Sequence, residues 1–105
     1  EHLRITQVFK GWVEAHPDFE ILAPVHFGAV CFRAHPPGVD DEVQIDTLNE
    51  NLLKALNRSR DMFLSHTKLG RRYTLRMVIG HLRTEEMHAK KAWEVILQEL
   101  KRIRS

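Results

Sequence analysis

The stretch from residue 63 to residue 80 (FLSHTKLGRRYTLRMVIG) constrains the fold of this chain more than any other part. Its second half alternates, so in an extended strand the apolar side chains share one face, and Arg76 lies on the other face between Thr74 and Val78. Arg76 is therefore a charged residue inside an apolar strand. A guanidinium in that position is either solvated or placed to hold an anion.

Length and composition predict a soluble globular protein. With 105 residues the chain has the size of one domain, and we expect residues 1–105 to form a single domain. The net charge is only +2, because 16 Lys and Arg are set against 14 Asp and Glu, so we expect no nucleic-acid partner. No apolar run approaches the roughly 20 residues of a membrane span, so no membrane partner is expected. The single cysteine, Cys31, suits a reducing, cytoplasmic location.

The beginning of the chain predicts that it is a piece of something longer. Residue 1 is glutamate rather than methionine, and the helical spacing of apolar residues starts at Ile5 with no capping residue before it. We therefore expect a helix cut in mid-course.

Hydrophobic periodicity predicts seven elements in the order α-β-β-α-β-β-α. The predicted bounds are helices at 3–16, 47–57 and 84–103, and strands at 19–23, 28–34, 62–67 and 73–79. This order indicates an α+β fold, an antiparallel sheet of about four strands with three helices on one face.

Local signals set the predicted ends of these elements. Thr47 and Glu50 form a capping box that starts the second helix, and Thr84 caps the third. Gly70 is available for the turn of a hairpin between the last two strands. The segment 35–45 is rich in proline, glycine and acidic residues, which favours a mobile loop.

The face of the sheet away from the helices is predicted to carry small apolar groups and two arginines. Its members are Ala29, Cys31, Arg33, Thr74, Arg76 and Val78. A mixed face of this kind usually takes a partner.

Arg33 and Arg76 form the one chemical constellation in the pattern. Two guanidiniums on one face could hold a carboxylate or a phosphate. The alternative is a pair of exposed arginines matched to Glu20 or to solvent, and the pattern alone favours it. The seven histidines show no paired spacing of the zinc type, and a cysteine inside a strand is usually inert, so we expect no metal site and no catalytic residue.

Six segments together resemble one family. They are 18–24 (DFEILAP), 27–33 (FGAVCFR), 48–53 (LNENLL), 66–69 (HTKL), 75–80 (LRMVIG) and 84–93 (TEEMHAKKAW). In this order and spacing they resemble the C-terminal small domain of the pyridoxal-phosphate-dependent aromatic-L-amino-acid decarboxylases, which are fold-type I enzymes acting on DOPA, tryptophan or tyrosine. The resemblance covers nearly the whole chain.

The resemblance implies that the parent protein is a homodimeric carboxy-lyase, which forms an amine and carbon dioxide from an aromatic amino acid. Its pyridoxal phosphate would be bound by a large domain upstream, since the cofactor lysine of the family follows a histidine and this chain contains no His-Lys dipeptide. Arg76 corresponds to the small-domain arginine that approaches the substrate carboxylate. The chain alone is expected to bind no cofactor and to be inactive.

A different class of function remains open from the pattern of elements. Residues 28–103 can be interpreted as most of a ferredoxin-like unit, which would suit a regulatory or nucleic-acid-binding module. An RNA-binding sheet is expected to expose aromatic residues on its central strands. Phe32 and Tyr73 instead share the apolar face, which favours the decarboxylase domain.

Overall fold

The computed structural model describes residues 2–23, 29–57, 64–78 and 86–104. These residues contain three helices and four strands in the predicted order. The elements are α1 His2–Ala15, β1 Phe19–Ile21, β2 Ala29–Ala34, α2 Glu42–Leu56, β3 Leu64–Leu69, β4 Arg72–Val78 and α3 Glu86–Ile103. Thr84, the predicted cap of the last helix, lies outside the described residues.

The predicted hairpin is confirmed, with a shorter connection than expected. Leu69 of β3 pairs with Arg72 of β4, so only Gly70 and Arg71 make the turn. Their φ angles are 58° and 72°, as in the two-residue turns whose twist matches that of antiparallel strands. The strands therefore extend to the turn on both sides, and the longer predicted connection at 68–72 is wrong.

The four strands form one antiparallel sheet in the order β1-β2-β4-β3. β4 pairs antiparallel with both β2 and β3, so β2 and β3 are parallel to each other with β4 between them. The chain passes from β2 to β3 through α2. The predicted α+β class is confirmed.

One face of the sheet is buried beneath the helices. The core residues that β2 and β4 contribute from this face are Val30, Phe32, Leu75 and Met77, none more than 6% exposed. Phe9 of α1 lies at the centre, with its ring centroid 5.8 Å from that of Phe32 and 5.8 Å from that of Trp93 on α3. These edge-to-face contacts add to the stabilisation from burial.

α2 begins earlier than the capping-box pattern predicted. The Asp41 carboxylate accepts the N–H of Val43 at 3.0 Å, and the helix begins at Glu42. An aspartate N-cap followed by a glutamate suits the positive end of the helix dipole. Thr47 lies inside the helix, so its predicted capping role and the loop to residue 45 are wrong.

Two polar side chains of α2 replace a backbone pair between β2 and β4. The ladder stops before Ala34 and Tyr73, which would lie opposite each other if it continued. Asn49 Oδ1 instead accepts the N–H of Ala34 at 2.7 Å, and Asn49 Nδ2 donates to the carbonyl of Ala34 at 2.9 Å. Asp46 Oδ1 accepts the N–H of Tyr73 at 3.0 Å. The helix thereby supplies the hydrogen bonds that the sheet lacks at this end.

Asn49 is completely buried, and its amide is fully used. Besides its two bonds to Ala34, Nδ2 donates to the carbonyl of Ile45 in the same helix at 2.8 Å. A buried amide with satisfied donors and acceptors fixes the position of the helix against the strand, because any shift would leave polar groups unpaired.

Replacing Asn49 with leucine should destabilise the fold by about 2–4 kcal/mol, since the buried N–H and C=O of Ala34 would each lose a partner at about 1–3 kcal/mol. Urea unfolding followed by circular dichroism measures the difference. Asn51→Leu, at an exposed position of the same helix, is the matched control and should change stability by less than about 0.5 kcal/mol. Equal midpoints for the two variants would contradict the role assigned to Asn49.

Candidate functional site

The helix-free face of the sheet carries the predicted site residue. The strand register sets Arg76 of β4 between Cys31 of β2 and Ser65 of β3. Arg76 and Ser65 are exposed, and Cys31 is half-buried. Arg76 makes no hydrogen bond or ion pair with any residue that the structure describes. Its guanidinium is thus unpaired within the part of the chain that the structure describes.

The rest of this face is less open than the pattern predicted. Ala29 is 5% exposed, Arg33 2% and Thr74 0%. The side chain of Val78 lies outside the described residues. The expectation of a broad mixed surface is therefore wrong, since three of its six members are buried.

The guanidinium of Arg33 contacts two carboxylates. Its Nη1 donates to Oε2 of Glu42 at 2.8 Å, and its Nε lies 3.4 Å from Oε2 of Glu20. Glu20 faces Arg33 across the β1–β2 pair, and Glu42 is the first residue of α2. The buried Nε makes no hydrogen bond among the described residues, so its interaction with Glu20 is electrostatic. A buried guanidinium between two carboxylates is neutralised and is not free to bind an anion.

His35 attaches the segment between β2 and α2 to the same cluster. Its Nδ1 contacts Oε2 of Glu20, and its Nε2 lies 3.0 Å from the carbonyl oxygen of Val39. Acceptors therefore face both ring nitrogens, an arrangement in which an imidazolium can donate twice. The backbone N–H of His35 donates to the carbonyl of Asp18 at 2.7 Å. These bonds tie the segment to the strands. The predicted loop is present from residue 35 to residue 41, and only its predicted extent to residue 45 is wrong.

The cluster alters the acidity of its members. The hydrogen bond from Arg33 lowers the pKa of Glu42 below its ordinary value of 4.5, and the positive charges of Arg33 and Arg72 act in the same direction. Burial by itself would lower the pKa of Arg33, but the hydrogen bond to Glu42 and the charges of both carboxylates raise it overall. Arg33 thus stays charged, and its charge is balanced locally.

Arg33 is therefore not available to share an anion with Arg76, and the two-arginine site, the less favoured of the two alternatives drawn from the pattern, is wrong. For Arg33 the alternative is right about the match to Glu20 and wrong about exposure, since the side chain is buried. Glu42, predicted to lie in a loop, is its second carboxylate partner. The signal for Glu42 was the acidic run at residues 40–42, following a strand whose interior holds a lone arginine. Arg76 is the arginine that stays without a carboxylate among the described residues of this face.

The described residues offer no evident metal or carbonyl-cofactor site. No three His, Cys, Asp or Glu side chains lie together as metal ligands in the described part of the chain. All six lysines are described, and none is buried. Lys10 is half-buried and pairs with Glu14 at 3.6 Å, and the others are exposed. None of the described helices is long and apolar enough to cross a membrane.

Comparison with known proteins places this geometry in one group. No family model matches the chain. The chain is 41% identical over 98 residues to the phenylacetaldehyde synthase of Arabidopsis thaliana, an alignment that covers 93% of this chain and 20% of the relative. It is 37% identical over 94 residues to a tryptophan decarboxylase of Camptotheca acuminata, covering 90% of this chain and 19% of the relative.

Solved structures give the same grouping. The crystal structure of Oryza sativa TDC with PLP and tryptamine superposes on 99% of this chain and 22% of its own length, with a TM-score of 0.92 and 29% identity. The chain thus spans about a fifth of the length of the proteins it matches, corresponding to their C-terminal part. The resemblance to the C-terminal small domain of the pyridoxal-phosphate-dependent aromatic amino acid decarboxylases is confirmed.

Glu42→Gln should remove a pH-dependent part of the stability. Because the folded-state pKa of Glu42 is lowered, the unfolded state binds a proton first as pH falls, so the contribution is present above 4.5 and is lost as pH drops through the lower folded value. Urea unfolding should be measured at several values between roughly pH 7 and pH 3. The wild type should have a higher unfolding midpoint than the variant near neutral pH, and the two midpoints should converge at acid pH.

The control for this titration is Glu94→Gln, at an exposed position of α3. It should follow the wild-type pH profile. A difference between wild type and Glu42→Gln that stays constant from neutral to acid pH would contradict the role of the Arg33–Glu42 pair.

Proposed function

We propose that this chain is the C-terminal small domain of an aromatic amino acid decarboxylase, a pyridoxal-phosphate-dependent carboxy-lyase that forms an amine and carbon dioxide. The observation that carries the proposal is the structural match over 99% of the chain to a decarboxylase-type protein solved with PLP and tryptamine, reinforced by 37% sequence identity to a tryptophan decarboxylase. Residues 1–105 form one domain in this proposal, and the large domain lies upstream in the parent.

The residues of this chain do not fit pyridoxal phosphate. The cofactor needs an enclosed lysine and groups that hold its phosphate. The lysines here lie at the surface, and Arg33, the buried cation of the sheet, is already neutralised by Glu20 and Glu42. We therefore assign cofactor binding to the upstream domain and no step at the cofactor to this chain.

Arg76 is proposed to hold the substrate carboxylate. It projects from the middle of β4, between two hydrogen-bonded strands, so its backbone is rigidly placed. It is exposed and has no carboxylate partner among the described residues, unlike Arg33 on the same face. A planar guanidinium binds a carboxylate through two parallel hydrogen bonds, which fixes orientation as well as position. Holding the carboxylate in one orientation sets the direction of the bond to be broken.

The partners of the domain follow from the same proposal. Arg76 can reach a substrate only if the helix-free face turns toward the upstream domain, which would cover Cys31 and Ser65 and exclude water from the carboxylate. The parent is proposed to be a cytoplasmic homodimer with an aromatic amino acid as substrate and no nucleic-acid or membrane partner. The ferredoxin-like alternative is not favoured, because the structural match includes α1 and β1 as well as the later elements.

A second candidate is an aldehyde synthase, favoured by the 41% identity to the Arabidopsis phenylacetaldehyde synthase. Incubating the full-length parent with phenylalanine, tyrosine or tryptophan and separating the products distinguishes the two. An aromatic amine supports the decarboxylase, and an aldehyde supports the second candidate. Neither product from any of the three amino acids would contradict both.

Arg76→Lys in the full-length parent should lower kcat/KM by about tenfold or more, because lysine keeps the charge but loses a hydrogen bond to the carboxylate worth about 1.5–3 kcal/mol. The same change in the 105-residue chain should alter the free energy of unfolding by less than about 0.5 kcal/mol, since Arg76 is exposed. Arg72→Lys, at an exposed position of the same strand, is the control for kinetics. Unchanged kinetics together with strong destabilisation would make Arg76 structural.

The 105-residue chain alone should show no turnover and no stoichiometric attachment of pyridoxal phosphate, because none of its lysines is enclosed. Absorbance titration with the cofactor, borohydride reduction and peptide mapping measure attachment, and product analysis measures turnover. Labelling of one lysine in stoichiometric yield would contradict the proposal.

A further inference from the structure

β3 is an outer strand of the sheet. It pairs with β4 on one side, and no described residue pairs with its other side. It runs for six residues without proline, whereas β1 at the opposite edge has three. An outer strand of this length offers unpaired backbone groups to another extended chain.

The strand register identifies which residues carry these unpaired groups. Leu69 and Arg72 close the two-residue turn as a hydrogen-bonded pair, so the N–H of Tyr73, the next residue, is directed away from β3. Asp46 accepts it. Backbone groups alternate along a strand, so Arg72, Thr74 and Arg76 direct theirs toward β3 and pair with Leu69, Thr67 and Ser65. The intervening residues, His66 and Lys68, therefore direct N–H and C=O outward.

The hairpin of β3 and β4 contains basic residues and no acidic ones. Residues 64–78 contain Lys68, Arg71, Arg72 and Arg76 and no aspartate or glutamate. Lys68 and Arg71 are exposed and form no ion pair within the described part of the chain, whereas Arg33, Arg102 and Arg104 each have a carboxylate partner. The outer edge thus combines backbone donors and acceptors that no described residue uses with two exposed cations, Lys68 and Arg71, that form no ion pair in the described part of the chain.

A side-chain stack keeps this edge regular. The imidazole of His66 lies parallel to the ring of Tyr73, with centroids 4.8 Å apart and planes 8° apart. His66 is exposed and Tyr73 is half-buried, so the stack anchors the outer strand to the strand beside it. Binding to a strand edge that is already ordered loses less conformational entropy than binding to an edge that must first become ordered.

We propose that the outer edge of β3 is a docking site for an acidic peptide segment in extended conformation, which adds to the sheet as a fifth strand. Carboxylates at alternate positions of such a segment would lie beside His66 and Lys68, and a further one would reach Arg71 at the turn. A second copy of this chain is disfavoured at this edge, because its own Lys68 and Arg71 would face like charges. The proposal is independent of the role of Arg76.

The test uses the 105-residue chain and a capped, fluorescein-labelled peptide of alternating sequence, Glu-Val-Glu-Val-Glu-Val. Fluorescence anisotropy should show saturable binding that weakens as salt is raised to roughly 0.5 M. Amide hydrogen exchange should show new protection at His66 and Lys68 and little change at Ser65 and Thr67, which are already paired. The same peptide with an N-methyl group on every backbone nitrogen keeps its charges but has no N–H to donate along either edge, and it should not bind.

Two variants measure separately how much electrostatic attraction and backbone hydrogen bonding contribute to peptide binding. Lys68→Glu should weaken binding by about fivefold or more, and Lys90→Glu at an exposed position of α3 should not. His66→Ala loses the stack on Tyr73 but keeps the outward N–H, so it is the reference for both stability and binding. Relative to that reference, His66→Pro removes an N–H that the sheet does not use, so binding should fall further while thermal unfolding stays close. If that variant fails to fold, the N-methylated peptide decides the question alone.

Three results would overturn the proposal. The first is the absence of binding up to about 1 mM peptide, a range that covers weak strand-addition complexes. The second is equal binding of the N-methylated peptide, which would indicate attraction by charge only. The third is tighter binding of an oligothymidylate of the same charge at the same residues, which would indicate a nucleic-acid surface.

Discussion

The pair of α2 side chains at the end of the β2–β4 ladder is the constraint on which the rest of the structure depends. Asn49 and Asp46 satisfy backbone groups of Ala34 and Tyr73 that would otherwise be left without partners at the edge of the core. Because those groups are directional, they fix both the height and the rotation of α2 over the sheet. The apolar stripe of the helix could pack in several registers, but the polar contacts accept only one.

The position of α2 determines which of the two arginines on the helix-free face has carboxylate partners. With α2 fixed, its first residue, Glu42, lies against Arg33, and Glu20 approaches from the neighbouring strand. Arg33 therefore links β1, β2 and the start of α2 through its contacts with the two carboxylates. Arg76 lies opposite Cys31 and Ser65 on the neighbouring strands, neither of which is acidic, and it has no carboxylate partner among the described residues. Two arginines on the same face thus differ: Arg33 links three elements, whereas Arg76 has no carboxylate partner in the described ranges.

Much of the fold could be predicted from short-range patterns. The alternation in β4, the Gly70 turn and the apolar stripes of the helices each depend on neighbours in sequence, and all were located within a few residues. The predicted start of α2 is wrong, because the helix begins after Asp41 rather than at the Thr47 capping box. Asp41 and Thr47 are both good N-cap residues, and the choice depends on Ile45 and Asn49, which are buried only in the folded molecule.

The candidate site was predictable only in part for the same reason. Parity along β2 and β4 correctly put Arg33 and Arg76 on one face, but burial of Arg33 depends on Glu42, whose position is set by a helix start that the pattern misplaced. The hydrogen bonds of Asn49 were missed as well, since a polar residue on a helix gives no sign in sequence that a strand ends beside it. The spacing of apolar residues along the chain does not predict hydrogen bonds between single polar groups that are distant in sequence.

The position of β4 also has a consequence for how the sheet is assembled. Of the four strands described here, β4 is synthesised last, yet it fills the gap between two strands synthesised before it. β2 therefore keeps one edge bare until the hairpin is complete, and the closing contact, Phe32 with Leu75, joins residues 43 positions apart. A two-residue hairpin forms within microseconds, whereas its docking across that span is slower. The middle of the sheet is thus the last part to close, and the growing chain carries an open strand edge until then.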